Sequence, residues 1–242
     1  MNNRLFVNKL SEAASRYPDA TFSRRGQIYT CVNPFSYHLI RKGHIPYQEI
    51  DGLYVDGILM QKLVNLLWKT DILRLSFDMT GMAPDLFTRL QSSDESIFFI
   101  GARHEEISAS VDTIMKAYPG INLAGFRHGY FDSPQEREHE IRNIIAANPD
   151  FVIIGMGAPI QEHFLIDLKK AGFKGIAFTC GGFLHQTANR INYYPDWVNR
   201  YNLRAFYRLF HEKNLFKRLY NVLLQFPILF TLDTIRTRLS RP

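Results

Sequence analysis

Two aspartates stand in Ser76-Phe-Asp-Met-Thr-Gly-Met-Ala-Pro-Asp-Leu-Phe87, close behind an apolar run. A carboxylate just past a strand end acts as a general base if it reaches the proton to be removed. Asp78 is the nearer to the strand end, while Asp85 follows Pro84, where a helix is expected to begin. Their unreactive roles would be a turn residue and a helix-start neighbour. Gly155-Met-Gly157-Ala-Pro159 joins a buried run to a helix opened by proline, and bare backbone N–H groups at such a turn favour a phosphate or pyrophosphate. A tight strand-to-helix turn also needs glycine for its own sake. Gln161 and Glu162, in the first turn of that helix, can bind sugar hydroxyls or merely satisfy their own helix terminus. Arg127-His128-Gly129-Tyr130-Phe131 groups a cation, an imidazole and two aromatic rings after another strand, a set suited to a nucleotide or sugar, although a lone histidine is more often structural.

Missing motifs narrow the chemistry. No Walker sequence and no Gly-x-Gly-x-x-Gly fingerprint occurs, which leaves ATPase and nicotinamide readings without support. There is no His-x-x-x-His pair, no Gly-x-Ser-x-Gly elbow and no Asp-x-Asp, so no metal site and no cofactor is expected. Phosphate chemistry would then rely on arginines and helix dipoles to neutralise a leaving group.

The elements that must carry these residues alternate along the chain. Ser96–Gly101 reads as a buried strand, His104–Ala117 as a helix and Ile121–Phe126 as the next strand. Ser133-Pro-Gln-Glu136 then offers an N-cap serine, a proline at the first helical position and a glutamate to complete a capping box. That helix runs to Ala147, where Asn148-Pro149 stops it. Phe151–Gly155, a helix from Pro159 to Lys170 and Lys174–Thr179 follow, ending on Cys180-Gly181-Gly182. The spacing predicts an α/β fold, a Rossmann-like, mostly parallel sheet flanked by helices, with ligands beyond the carboxyl ends of the strands. Nearer the N-terminus, Gln27–Asn33 and Ile72–Phe77 read as strands and Asp56–Lys69 as a helix.

Composition sets the remaining bounds. The 242 residues carry a net charge of +6 and are 46% hydrophobic, ordinary globular values. Two cysteines, Cys31 and Cys180, build neither a disulfide framework nor a four-ligand zinc site. The N-terminus is too polar for a signal peptide, and no apolar run reaches the roughly 20 residues that span a bilayer. The charge is concentrated: from Arg200 onward, nine basic residues face only Glu212 and Asp233, a net of +7 that leaves −1 for everything before. That stretch also holds the apolar run from Leu219 to Leu232, interrupted by Pro227 and bracketed by Lys217-Arg218 and by Arg236, Arg238 and Arg241. Such an element can lie on an anionic membrane surface, or dock on its own domain or a second subunit. Nucleic acid is not expected, because the body is near neutral and shows no recognition motif.

Taken in order, the motifs resemble the WecG/TagA/CpsF family of bacterial glycosyltransferases, from about Tyr29 to Leu209. Thr30-Cys-Val-Asn33, Tyr54-Val-Asp56-Gly57, Phe99-Ile-Gly101 and His128-Gly129-Tyr130-Phe131 are similar to family blocks. So are Gly155-x-Gly157-x-Pro159-x-Gln161-Glu162, Gly181-Gly182 and Tyr207-Arg208-Leu209. The resemblance implies an inverting, metal-independent transfer from a UDP-sugar donor to a polyprenyl-pyrophosphate-linked sugar acceptor in surface polysaccharide assembly. It implies substrate-binding roles for those blocks, from Thr30, Asn33, Asp56, Gly57 and Thr80 through to Arg208. It further implies a catalytic domain over 1–199 and a basic appendage over 200–242 that docks on the cytoplasmic face of the inner membrane. The family base is an aspartate in a Thr/Ala-Gly-x-Asp-Leu block. Here two extra residues separate Thr80-Gly81 from Asp85-Leu86, so Asp78 and Asp85 are both candidates, with geometry favouring Asp78. Ile160, His185, Tyr194 and Arg204 depart from the family pattern near the donor pocket or appendage. The departures leave the donor sugar open and admit a rival reading, a non-catalytic nucleotide-sugar or lipid-binding scaffold. Self-association is left open as well.

Overall fold

Strand β1 (Ile28–Val32) sends Ile28 and Val32 to one side and Tyr29 to the other, the period-2 division that builds a two-faced core. Strands β2 (Gly52–Val55), β3 (Ser96–Gly101), β4 (Asn122–Arg127), β5 (Phe151–Gly155) and β6 (Ile176–Thr179) divide in the same way. In the computed structural model, which describes residues 3–188, 190, 191, 198, 200 and 224–240, they form one sheet in the order β2-β1-β6-β5-β3-β4. Every pairing is parallel. Parallel strands buried on both faces read as continuous apolar runs, and that is why Ser96–Gly101 and Phe151–Gly155 were legible.

On the face of Ile28, Phe98 and Val152 lie α3 (Pro34–Arg41), α4 (Ile58–Trp68), α7 (Pro134–Ala147) and α8 (Ile160–Lys170). The face of Tyr29, Phe99 and Ile153 is covered by α5 (Met82–Gln91), α6 (His104–Ala117) and the short α9 (Phe183–Thr187). The first helix, α1 (Asn3–Arg16), lies along the edge strand β2; its Phe6, Val7 and Leu10 join one core and its Ala13 the other. A covered edge cannot recruit a foreign strand. A single-turn helix, α2 (Asp19–Ser23), follows it.

The last described element, α10 (Phe226–Leu239), packs against α1, α3 and α4. Phe226 and Phe230 are buried, and each ring meets the Tyr37 ring edge-on at 5.3 Å between centroids. Asn3 Nδ2 donates to Thr234 Oγ1 at 3.3 Å, and Trp68 Nε1 donates to the same hydroxyl at 3.2 Å. Docking on the chain's own body thus describes the inner face of this helix.

Several local readings need correction. Ile72–Phe77 is not a strand: it contributes one isolated bridge, Arg74 to Val55. Side chains of α4 take the main-chain groups that a ladder would use. Asn65 Oδ1 accepts from Ile72 N, and Gln61 Nε2 and Asn65 Nδ2 both donate to Ile72 O, each at 3.0 Å. The capping box before α7 is half formed. Ser133 Oγ accepts from Glu136 N, but the Glu136 carboxylate turns to Asp132 N and Arg127 instead. Asp56–Lys69 begins its helix only at Ile58, because Asp56 and Gly57 make the turn out of β2.

Candidate active site

The carboxyl ends of the six strands gather three polar groups of residues. The first lies over β1, β6 and the start of α8. Thr30, from the middle of β1, shares a 2.6 Å hydrogen bond with Thr179, the last residue of β6. Thr30 Oγ1 also donates to Glu162 Oε1 at 3.1 Å, and Gln161 Nε2 donates to that same oxygen at 2.9 Å. All four side chains are buried. Removal from water disfavours a charged carboxylate, so the proton affinity of Glu162 is raised, the hydrogen bonds from Gln161 and Thr30 opposing that shift.

The second group stands at the end of β2. Asp56 is the first residue past the strand, and its N–H donates to Val32 O at 2.8 Å. The bridge between Arg74 and Val55 brings the next segment up beside it and ends on Asp78. Asp78 Oδ1 accepts from Thr80 N at 2.7 Å and from Thr80 Oγ1 at 2.6 Å. Its Oδ2 accepts from Ser76 Oγ at 2.6 Å and from Arg74 Nη2 at 3.4 Å. These four donors fix the position of the carboxylate against the Ser76–Thr80 turn. Both Asp56 and Asp78 act on the buried Cys31 thiol, whose pKa is raised first by burial and then by these two charges. Asp85 lies apart. It is exposed on the first turn of α5, and its carboxylate accepts from the Tyr17 hydroxyl.

The third group crowns β3, β4 and β5. Gly101 closes β3 with φ 148°, and a Cβ there would stand 2.3 Å from Gly155 O. Gly129 N donates to Ala102 O at 3.0 Å, and a Cβ at Gly129 would meet Met156 Cγ at 2.9 Å. The strand ends touch only because these residues are bare. Gly101→Ala is therefore expected to cost about 3 kcal/mol or more, read as a lower urea midpoint at unchanged m-value. An unchanged midpoint would mean that β3 and β5 are further apart than described. Above them the His104 and His128 rings stack at 5.7 Å, and His128 Nδ1 accepts from Tyr130 N at 3.3 Å. Tyr130 is exposed.

Of the residues expected from the sequence, Thr30, Asp56, Gly57, Asp78, Thr80, Gly101, His128, Gly129, Tyr130, Gly155, Gly157, Pro159, Gln161, Glu162, Gly181 and Gly182 all lie at this carboxyl edge. Asn33 is there too, but its Oδ1 caps α3 by accepting from Phe35 N and Ser36 N. Arg208, like Tyr194, Arg204 and Tyr207, lies outside the described residues. Arg74 and Thr179 were missed as site residues. Arg74 sat inside a presumed strand, and Thr179 joins Thr30 only through the strand order. His185 Nδ1 lies 2.9 Å from Glu106 Oε1, tying α9 to the first turn of α6. Among the described residues, no group of three or more His, Cys, Asp or Glu side chains is arranged to hold a metal ion.

Residues 5–240 match the sequence profile of the Glycosyl transferase WecG/TagA/CpsF family. The chain is 37% identical over 193 residues to a UDP-Gal:alpha-D-GlcNAc-diphosphoundecaprenol beta-1,4-galactosyltransferase of Shigella boydii, spanning 80% of this chain and 81% of that protein. It is 30% identical over 176 residues to an N-acetylglucosaminyldiphosphoundecaprenol N-acetyl-beta-D-mannosaminyltransferase of Bacillus subtilis (strain 168), spanning 71% of this chain and 63% of that protein. A Bacillus spizizenii protein of the same name is 27% identical over 142 residues.

Proposed function

The chain belongs to the WecG/TagA/CpsF family of glycosyltransferases, and from that premise we propose that it moves a sugar from a UDP-sugar to a sugar carried on a polyprenyl diphosphate. The observation that carries this reading is the whole-chain family match falling on a fold whose carboxyl edge collects the expected polar residues. Galactose is the first donor to try, because the galactosyltransferase matches four-fifths of both chains at 37% identity. The relatives' named products are β-linked. UDP-galactose is an α-glycoside, so attack opposite the departing UDP, with inversion, fits.

In this mechanism the acceptor hydroxyl loses its proton to a carboxylate as its oxygen bonds to the anomeric carbon and UDP departs. We assign the proton acceptor to Asp56, the first residue past β2 at the carboxyl edge, and keep Asp78, which holds the Ser76–Thr80 turn and Arg74, and Asp85 as the alternatives. Asp78 holds the Arg74 guanidinium at the end of β2, where its charge can stabilise the departing diphosphate. Arg208 would add to that charge if the family resemblance holds there. Arginine in place of a metal ion accounts for the missing Asp-x-Asp.

UDP release is expected with a lipid-diphosphate-linked N-acetylglucosamine acceptor and UDP-galactose, in EDTA, and only when acceptor is present. Silence across a broad donor panel, by protein that binds UDP, would overturn the reading.

A peripheral seat on the cytoplasmic face of the membrane belongs to the same proposal. No helix among the described residues is long and apolar enough to cross a bilayer. The outer face of α10 carries Ile228, Leu232, Ile235 and Leu239 at helical spacing, all exposed, beside Arg236 and Arg238. Apolar side chains edged by cations suit an anionic surface. Ile228→Glu with Ile235→Glu is expected to weaken co-sedimentation with phosphatidylglycerol vesicles at least tenfold, without loss of UDP binding. Equal vesicle binding would remove α10 from the membrane contact.

A further inference from the structure

Gln161 and Glu162 are 4% and 1% exposed, and each retains one oxygen, Oε1 of Gln161 and Oε2 of Glu162, without a hydrogen-bond partner among the described residues. An unsatisfied buried acceptor costs about 1–3 kcal/mol, so a pair of them in one helical turn needs an explanation. Neighbouring donors are already committed. Cys31 N donates to Thr179 Oγ1 at 3.4 Å, the two threonine hydroxyls bond to each other, and Thr30 and Gln161 both donate to Glu162 Oε1. In the first turn of α8, Gln161 N donates to Gly157 O at 3.0 Å and His163 N to Pro159 O at 3.2 Å.

The two buried side chains therefore offer acceptors, not donors, to whatever approaches them. A diphosphate, which only accepts, finds like polarity at these two oxygens. A hydroxyl both donates and accepts, so it satisfies an amide oxygen and a carboxyl group in either protonation state. The two adjoining turns are open on this side: a Cβ at Gly157 or at Gly181 would meet nothing within 4 Å.

We propose that Gln161 and Glu162 bind ring hydroxyls of the sugar being transferred, and that these two side chains do not hold the donor diphosphate. The inference rests on the UDP-sugar reading above. Hydroxyl readout by buried acceptors is a strong discriminator, because a donor lacking the hydroxyl leaves them unpaired.

The test compares the wild type with Glu162→Gln, which keeps the shape but turns an acceptor into a donor. Gln161→Leu provides a second arm should the first fail to fold by circular dichroism. UDP affinity by calorimetry is expected to stay within twofold, while kcat/KM for the UDP-sugar falls at least tenfold. Against a set of monodeoxy UDP-hexoses, the wild type should lose tenfold or more at one position, and the variants less than threefold at that position. A parallel loss of UDP affinity would overturn the proposal, because the pair would then hold the diphosphate. Equal losses in wild type and variants at every position would also overturn it, leaving a cluster that holds structural water only. Failure of the UDP-sugar reading itself has a separate signature, a wild type that neither binds UDP nor turns over any UDP-sugar.

Discussion

Turnover by Asp56→Asn is expected to fall by about 10²–10⁴-fold with UDP affinity kept within twofold, the loss that follows removal of a positioned general base. Asparagine preserves the size of the side chain and the backbone bond from residue 56 to Val32 O, and it removes the carboxylate that would take the proton. Asp78→Asn tests a different part of the site. It takes the charge from a group that accepts from Ser76, Thr80 and Arg74, so the 76–80 turn loosens and Arg74 loses its anchor. A loss of about tenfold to a hundredfold is expected, accompanied by a lower urea midpoint. Asp85→Asn removes the acceptor of the Tyr17 hydroxyl at an exposed position and should leave rates near those of the wild type. Single-turnover rates with calorimetric UDP binding separate the three. An active Asp56→Asn beside an inactive Asp78→Asn would move the base to Asp78.

How far the sequence reveals this arrangement depends on which physical signal each part leaves. Central strands β3 and β5 are apolar throughout because helices cover both of their faces, and α6 keeps the predicted bounds His104–Ala117. Strand β2 has four residues, one of them Gly52, and leaves too little pattern to read as a strand. Ile72–Phe77 has a strand's composition, but three hydrogen bonds from α4 side chains claim Ile72 first. Tertiary contacts of this kind leave no local trace. Helix α3 did announce itself, since Asn33-Pro-Phe-Ser36 is an N-cap, a first-turn proline and a reciprocal hydroxyl, yet Asn33 was read for chemistry alone. Thr30 and Glu162 are legible as site residues and Thr179 only as a strand end, because their union depends on β6 inserting between β1 and β5, and strand order is not written in periodicity.

The terminal helix shows why composition alone left two readings open. An amphipathic surface helix has one apolar face; α10 has two, one filled by Phe226 and Phe230 and the other by Ile228, Leu232, Ile235 and Leu239. Its inward orientation is fixed by polar groups. Asp233, 4% exposed, accepts from Tyr37 at 3.0 Å and from the Arg41 guanidinium, with Nη2 at 3.1 Å from Oδ1.

Asp233→Ala is expected to destabilise the protein by about 3 kcal/mol, because removing one partner leaves a partly buried guanidinium without its acceptor and the Tyr37 hydroxyl with Asn3 Oδ1 alone. For a chain of this length that is a fall of about 6–12 °C in Tm. Rotating α10 to bury its other apolar face would turn Asp233 outward and leave Arg41 without its carboxylate, so the ion pair selects the orientation more than it adds net stability. Asp233→Leu, apolar and well packed, should recover part of the lost stability while vesicle binding weakens, since only the Thr234 contacts and the Phe226 and Phe230 packing then hold Ile228 and Ile235 outward. If Asp233→Ala melts like the wild type, α10 is not held on α1 and α3 by this contact, and the membrane-facing stripe would have to be oriented by some other part of the chain.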